Sequence, residues 1–512
     1  MKNNKKVRIG CASAFWGDTS TAAKQLVEKG DLDYLVFDFL AEVTMSILAR
    51  AKLKDSDRGF AGDFLTQIEP LLPLIKQKGI KILTNAGGIN PISCRAMLER
   101  TTKKEGLDLK IAIVTGDDLF PELPSIEELG ITELDTGNPF PESCLSINAY
   151  LGAPGLVAAL EKNADIIITG RCVDSALVLA PLMHEFNWNQ SDYDLLASGS
   201  LAGHIIECGA QCTGGNFTDW KDIDGFDDMG FPIVEVESNG DFIVSKPRGT
   251  GGMVTFGTVA EQFLYEIGNP AEYILPDVVC DFTGVTINDF GKDLVHVSGA
   301  SGSPPTNQYK VSATFRDGYR VNGTLVIGGK DSGLKGEIIA NAIIKKVNNI
   351  LKEKGLDPLN ETSYDLIGTD SIYGKNHSKR ESREIVLRLA SKHPQKEALS
   401  ILSQELAQAV TGMPAGVINY LGGRPPVSPS IELFSFLYAK DQVKVEIDIN
   451  GQTSPVKIDS AGGYNLKMKN LRLEAKSQNK SQNLSKVPLF KLAFARSGDK
   501  GNHANIGVIA RK

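Results

Sequence analysis

Long apolar runs are missing from this chain of 512 residues: none reaches the roughly 20 residues that an α-helix needs to span a bilayer. A basic excess is missing as well. With 55 Lys and Arg against 62 Asp and Glu, the formal net charge is −7, so no global attraction to nucleic acid or an anionic membrane exists. Any anionic ligand must be met by a local cluster. Cysteine is sparse: the 7 thiols, an odd number scattered along the chain, fit reduced cysteines and not a disulfide framework. The basic start, Met1 to Val7, lacks the apolar core and cleavage site of a secretory signal, so a cytoplasmic location is expected. Neither a Walker loop nor a Gly-x-Gly-x-x-Gly fingerprint occurs, and no ATP, NAD, metal or other cofactor is expected. Internal repeats of 20–50 residues are also lacking.

What is present is an ordinary globular composition, 42% hydrophobic and 23% charged, long enough for two or three domains. Residues 1–212 alternate between short apolar runs and helical patterns. Strands are expected at Val7–Ala12, Tyr34–Phe39, Gly79–Thr84, Lys110–Thr115 and Asp165–Thr169. Helices are expected between them, among others at Phe64–Gln77 and Ser175–Phe186. This predicts an α/β fold with a mostly parallel, Rossmann-like sheet, whose ligands sit beyond the carboxyl ends of the strands.

Residues 213–450 read as an α+β domain continuous with the first. Alternation around Asn239-Gly240 predicts a hairpin over Val234–Val244. A second hairpin is expected from Tyr309–Phe315 and Tyr319–Ile327, turning through Arg316-Asp317-Gly318. Residues 451–488 are taken as a linker region, because Glu474–Pro488 is polar and almost without large apolar side chains. Residues 489–512 read as strand, loop, strand. Two strands alone are marginal in water, so this tail needs a partner surface.

Chemistry concentrates between Ser200 and Trp220. His204, Glu207 and Cys208 fall three and four residues apart, and Gly209, Gly214 and Gly215 admit close approach of a ligand to the backbone. One reading makes Cys208 a thiolate activated by His204, with Glu207 as acid or base. Another needs only Glu207, with an enolate held by the amides of Gly214 and Gly215. A third leaves the cysteines as small core hydrophobes at a helix end. His204, Cys208 and Cys212 would be zinc ligands if one helical face carried all three, a reading that Gly209 opposes.

Lys246-Pro-Arg248-Gly-Thr-Gly-Gly252 precedes a helical pattern and is a candidate anion clamp; a connector with two solvated cations is the alternative. In the tail, Arg496, Asp499 and Lys500 are expected on a tight glycine loop that binds a carboxylate or phosphate or docks the tail. Asp18 and Asp38 follow the first two strands as candidate polar site residues, alternatively as helix caps.

Several ordered segments carry a family resemblance: Gly10–Asp18, Tyr34–Glu42, Thr84–Pro91, Gly170–Ala176, His204–Trp220, Lys246–Gly252 and Arg496–Gly501. Together they resemble the acyclic terpene utilisation (AtuA) family from Arg8 to about Ile449 and again in the tail. The resemblance implies terpene catabolism through acyl-CoA intermediates. It also implies that the tail opens a ferredoxin-like module, incomplete here, whose remainder is absent, lost to a frameshift or carried on a separate chain. Combined with the residues above, the expectation is a lyase or hydratase acting on a branched or isoprenoid acyl-CoA. Its catalytic residues would be Glu207, His204 and Cys208. Its substrate contacts would be Asp18, Asn85, Gly87, Gly88, Arg171, Asp174, Gly214, Gly215, Asn216, Lys246, Arg248, Arg496, Asp499 and Lys500. The alternative is a non-catalytic scaffold or carrier-like subunit of an acyl-CoA carboxylase or lyase assembly. An oligomer is expected, with no nucleic-acid or membrane partner.

Overall fold

A computed structural model of the chain describes residues 5–376, 382–419, 422–464, 485–500 and 503–511. Eight strands lead the order: β1 Lys6–Cys11, β2 Tyr34–Phe37, β3 Lys81–Thr84, β4 Ile111–Thr115, β5 Ser146–Ala149, β6 Ile166–Thr169, β7 Ile233–Glu237 and β8 Phe242–Ser245. All residues of β2 and β6 are buried, as expected of continuous apolar runs in a sheet covered on both faces.

The fold is mixed α/β, built on an 11-stranded sheet. Its centre runs β1-β2-β3-β6-β4, and every neighbour in that stretch is parallel. Both flanks are antiparallel. On one side β7 pairs β1 and β8 pairs β7, followed by Leu294–Ser298 and Thr286–Gly291. On the other, Glu446–Ile449 pairs β4 and Gln452–Pro455 follows it. The mostly parallel sheet expected from the sequence is therefore parallel only in its five central strands. The hairpins that extend it carry no crossover helix, and a parallel pair requires one.

The chain divides into two compact units: residues 1–314 with 433–512, and residues 315–432. The change of character at 212/213 falls inside the first unit, because β7 and β8 join the same sheet as β1. The core of that unit gathers Leu26, Phe37, Phe39, Phe64, Ile82 and Ile168, with Phe37 and Phe64 edge to face at 5.3 Å. The single helix expected at Phe64–Gln77 is split into Asp63–Ile68 and Leu72–Lys78 by a 3₁₀ turn. Pro70 and Pro73 are the reason, since proline cannot continue an α-helical ladder.

The second unit packs helices Ser332–Glu353 and Lys396–Leu406 on Glu361–Ile367 and Glu384–His393, around Ile339, Ile343, Leu387, Leu399 and Leu402. The hairpin expected at Arg316-Asp317-Gly318 does not form. Gln308–Gly328 is one strand of 21 residues. Val311–Thr314 pair with β5, whereas Tyr319–Gly328 pair with Glu384–His393, so different partners hold the two halves extended. Gly318 lies between the two halves at φ +70°, a left-handed conformation that glycine adopts without a Cβ penalty.

Gln452–Pro455 is a strand within the range expected as linker, and residues 465–484 lie outside the described residues. In the tail, Ala493–Lys500 pairs antiparallel with His503–Ala510. Its partner surface comes from the first unit itself. Phe494 stacks on Phe217 at 5.6 Å and packs against Phe256 at 6.2 Å. No helix among the described residues is long and apolar enough to cross a membrane.

Candidate active site

The carboxyl ends of the central strands open on a cavity of about 480 Å³. Ala14, Phe15 and Asp18 come from the loop after β1, Asp38 and Glu42 from the segment after β2, and Arg171 and Asp174 from the turn after β6. The helix Tyr193–Glu207 ends there, contributing Glu207 and Cys208, and the turn after helix Phe256–Leu264 adds Tyr265 and Glu266. Asp499 arrives from the tail. A second cavity of about 280 Å³ shares Glu42, Asp174, Glu207 and Glu266 with the first; Val173, Tyr273, Ile274, Leu275, Pro276 and Leu437 give it an apolar wall, and Lys310 and Gln308 also line it. The site is thus a polar lobe and an apolar lobe meeting at four carboxyl groups.

Glu207 stands on that shared wall with its Oε1 3.0 Å from Nδ1 of the buried His204. The i, i+3 spacing on one helix makes the contact, and an ionised Glu207 would accept from the imidazole Nδ1–H. Tyr150 donates its hydroxyl to Glu42 Oε1 at 2.6 Å, and the Arg171 guanidinium lies 4.3 Å over the Tyr150 ring. Arg171 Nη1 donates to Cys172 O at 2.6 Å and to Asp174 Oδ1 at 2.7 Å. Its buried Nε has no hydrogen-bond partner among the described residues.

Asp38 is buried, and its Oδ1 accepts from Asn85 Nδ2 at 2.6 Å. Burial, reinforced by the Asp174 charge, raises its pKa well above the ordinary carboxylate range. Burial also raises Asp18, whose Oδ2 accepts from the Ala14 amide at 3.0 Å. Beneath them, Asp117 Oδ2 accepts from the Arg171 amide and from Asn148 Nδ2, and burial lifts this carboxyl to about 7.

The residues expected from sequence do not all meet here. Glu207, Cys208, Asp18, Arg171, Asp174, Gly215, Asn216 and Asp499 line the polar lobe, and His204 lines the apolar one. Asn85 acts one step back, through Asp38. Gly87 and Gly88 are packing glycines: a Cβ would stand 2.5 Å from Thr169 O in the first and 2.4 Å from Leu48 Cδ1 in the second. The expected oxyanion donors are occupied, because the Gly215 amide donates to Ala210 O at 2.8 Å and the Gly214 amide to Gln211 O at 3.4 Å.

Burial first and the Glu207 charge second raise the Cys208 thiol well above its ordinary value, the opposite of what nucleophilic activation requires. The helix ends at Glu207 and a 3₁₀ turn, Gly209–Thr213, follows, so His204, Cys208 and Cys212 do not share one helical face. Arg496 is not on a loop but within strand Ala493–Lys500. Its Nη2 donates to Glu261 Oε2 and to Gly215 O, both at 3.2 Å, and its Nη1 to Gln211. It holds the site's wall from behind. The Lys500 side chain lies outside the described residues. Lys246 and Arg248 line a different concavity.

Sequence reasoning missed Glu42, Tyr150 and Glu266. Glu42 stood inside a segment already singled out. Glu266 has no local signal: it adopts φ +60°, and the tail residue Asn505 spans its turn by donating from Nδ2 to Leu264 O and Ile267 O, both at 3.2 Å.

Residues 7–449, which hold every wall of the two lobes except Asp499, match the family model described as acyclic terpene utilisation family protein AtuA. The chain belongs to the AtuA family. No curated protein and no solved structure matches it. The AtuA match ends before the tail, so Arg496 and Asp499 reach the site from outside the matched residues.

Proposed function

We propose that this AtuA protein is an acid–base enzyme, a lyase or hydratase acting on a branched acyl thioester. The observation that carries the reading is the pair of unlike carboxyl groups in one cavity: Glu207 braced by His204, and Asp38 buried with its pKa raised. A buried carboxyl that keeps its proton can serve as the acid, and a carboxyl held by an imidazole can serve as the base beside it. A thioester acidifies its α-carbon, so proton removal and return at that carbon need no redox cofactor.

The charge of the cavity supports a neutral reacting group. Seven carboxyl side chains, Asp38 among them as the protonated acid, and one guanidinium line the polar lobe, a setting that favours a thioester carbonyl over a free carboxylate or phosphate. The apolar lobe suits a branched hydrocarbon chain.

The test is hydrogen exchange and hydration in D₂O, with isovaleryl-CoA and 3-methylcrotonyl-CoA as probes. Deuterium entering the α-carbon of the first, or water adding to the second, is the expected result, and Glu207→Gln abolishes it while leaving the fold intact. Wild-type protein inert toward both overturns the reading.

A second reading, a non-catalytic subunit of an acyl-CoA carboxylase or lyase assembly, is favoured by the exposed apolar side chains of the tail. Ile506 is 75% exposed, and Leu489, Phe490, Leu492 and Val508 of the same tail are exposed as well. Co-purification of a partner that Ile506→Lys releases would support it.

A further inference from the structure

The loop after β8 opens on a concavity of about 850 Å³ that shares no lining residue with the polar lobe. Separate parts of the chain bring five basic side chains to it: Arg8 from β1, Lys29 from the end of helix Ala22–Lys29, Lys246 and Arg248 from the loop, and Lys292 from the turn before Leu294–Ser298. Only Asp31 and Asp293 oppose them in the lining.

These cations fall into two groups. Arg8 and Lys246 are framework. Arg8 donates to Glu235 at 2.7 Å and to the carbonyls of Asp31 and Gly30 at 2.9 Å, while Lys246 donates to Thr250 O at 3.0 Å with Asp293 at 3.6 Å. Lys29, Arg248 and Lys292 are exposed, and none appears in an ion pair among the described residues. Gly249 turns the loop at φ +74°, with nothing within 4 Å of where a Cβ would stand. Backbone can therefore approach a ligand there.

In a chain of net charge −7, three uncompensated cations around one concavity work against their own mutual repulsion. A single carboxylate needs one such partner; a ligand with two or more phosphate groups uses all three, Arg248 in bidentate fashion. The overall negative charge disfavours a nucleic-acid polymer. We propose that this concavity binds a small molecule carrying two or more phosphate groups. The inference rests on this basic cluster and not on the acid–base reading of the other cavity.

Calorimetric titration of the full chain with inorganic pyrophosphate and with adenosine 3′,5′-bisphosphate tests it. Saturable binding of either is expected, weakening as salt rises, and falling about tenfold or more in Arg248→Ala and further when Lys29→Ala and Lys292→Ala are added. Binding of pyrophosphate assigns recognition to the phosphates alone; binding of the nucleotide only adds a contact to its nucleoside. The three side chains are exposed, so the variants should melt as the wild type does. Glu207→Gln should bind as the wild type does, which separates this site from the acid–base reading. No binding of either probe at millimolar concentration, or unchanged affinity in the triple variant, overturns the proposal.

Discussion

Gly498 lies so close to Glu266 that a Cβ on it would stand 2.7 Å from Glu266 Cγ and 2.9 Å from its amide nitrogen. With Asn505 bonded to Leu264 and Ile267 on the same turn, the tail strand clamps the backbone that holds Glu266 at φ +60°. A left-handed conformation at a non-glycine residue persists only where its surroundings over-determine it, and such residues cluster at working sites.

Replacing Glu266 separates stability from chemistry. Glu266→Gly removes the left-handed penalty and should raise stability by roughly 0.5–1 kcal/mol in urea unfolding, while lowering thioester exchange. Glu266→Gln keeps the backbone strain and should show the loss of exchange without the gain. A Glu266→Gly variant less stable than the wild type would show that the clamp carries no strain.

Arg496 and Glu261 form an ion pair with side chains 6% and 0% exposed. Removing one partner leaves a buried charge, so Arg496→Ala should cost about 3–5 kcal/mol and expose the tail hairpin to protease. In the wild type the hairpin should resist cleavage with no second polypeptide present. Equal digestion rates in both proteins would mean that the hairpin does not depend on this pair.

Cys208 should be inert. Its raised thiol pKa predicts little labelling by iodoacetamide at pH 8 in the folded protein and full labelling after unfolding. Rapid modification in the folded state would restore the nucleophilic reading.

Asp117 gives a pH signature. Its folded pKa, about 7, lies above the unfolded value, so between roughly pH 4 and 7 the native state holds the extra proton. Stability from this group is complete below the unfolded pKa and falls as pH rises through about 7, by at most ~1.4 kcal/mol per pH unit. Relative to Asp117→Asn, the wild type should weaken over that range and level off above it. Parallel stability curves for the two proteins would refute the assignment.

The parallel strands were legible because their residues are buried on both faces and read as short apolar runs. The β7–β8 hairpin was legible because its Asn239-Gly240 turn is local. His204 and Glu207 meet as their spacing on one helix requires. The turn signal at Arg316-Asp317-Gly318 misled, because strand partners distant in sequence outweighed a local preference. Gly214 and Gly215 read as anion donors in the sequence, but carbonyls of the 3₁₀ turn occupy their amides. Glu266 was invisible for the same kind of reason: the residues that place it follow by more than two hundred positions.

Arg496 follows Glu261 by 235 residues. During synthesis, therefore, the surface formed by Phe217, Ile223 and Phe256 emerges long before Phe494 can cover it. Until then the nascent chain carries an open apolar patch and a cavity without its Asp499 wall. Contacts this far apart in sequence are slow to form, so the interval is a window for chaperone capture or aggregation. Maturation of the site is timed by the hairpin, and ligand binding should appear only after it has docked.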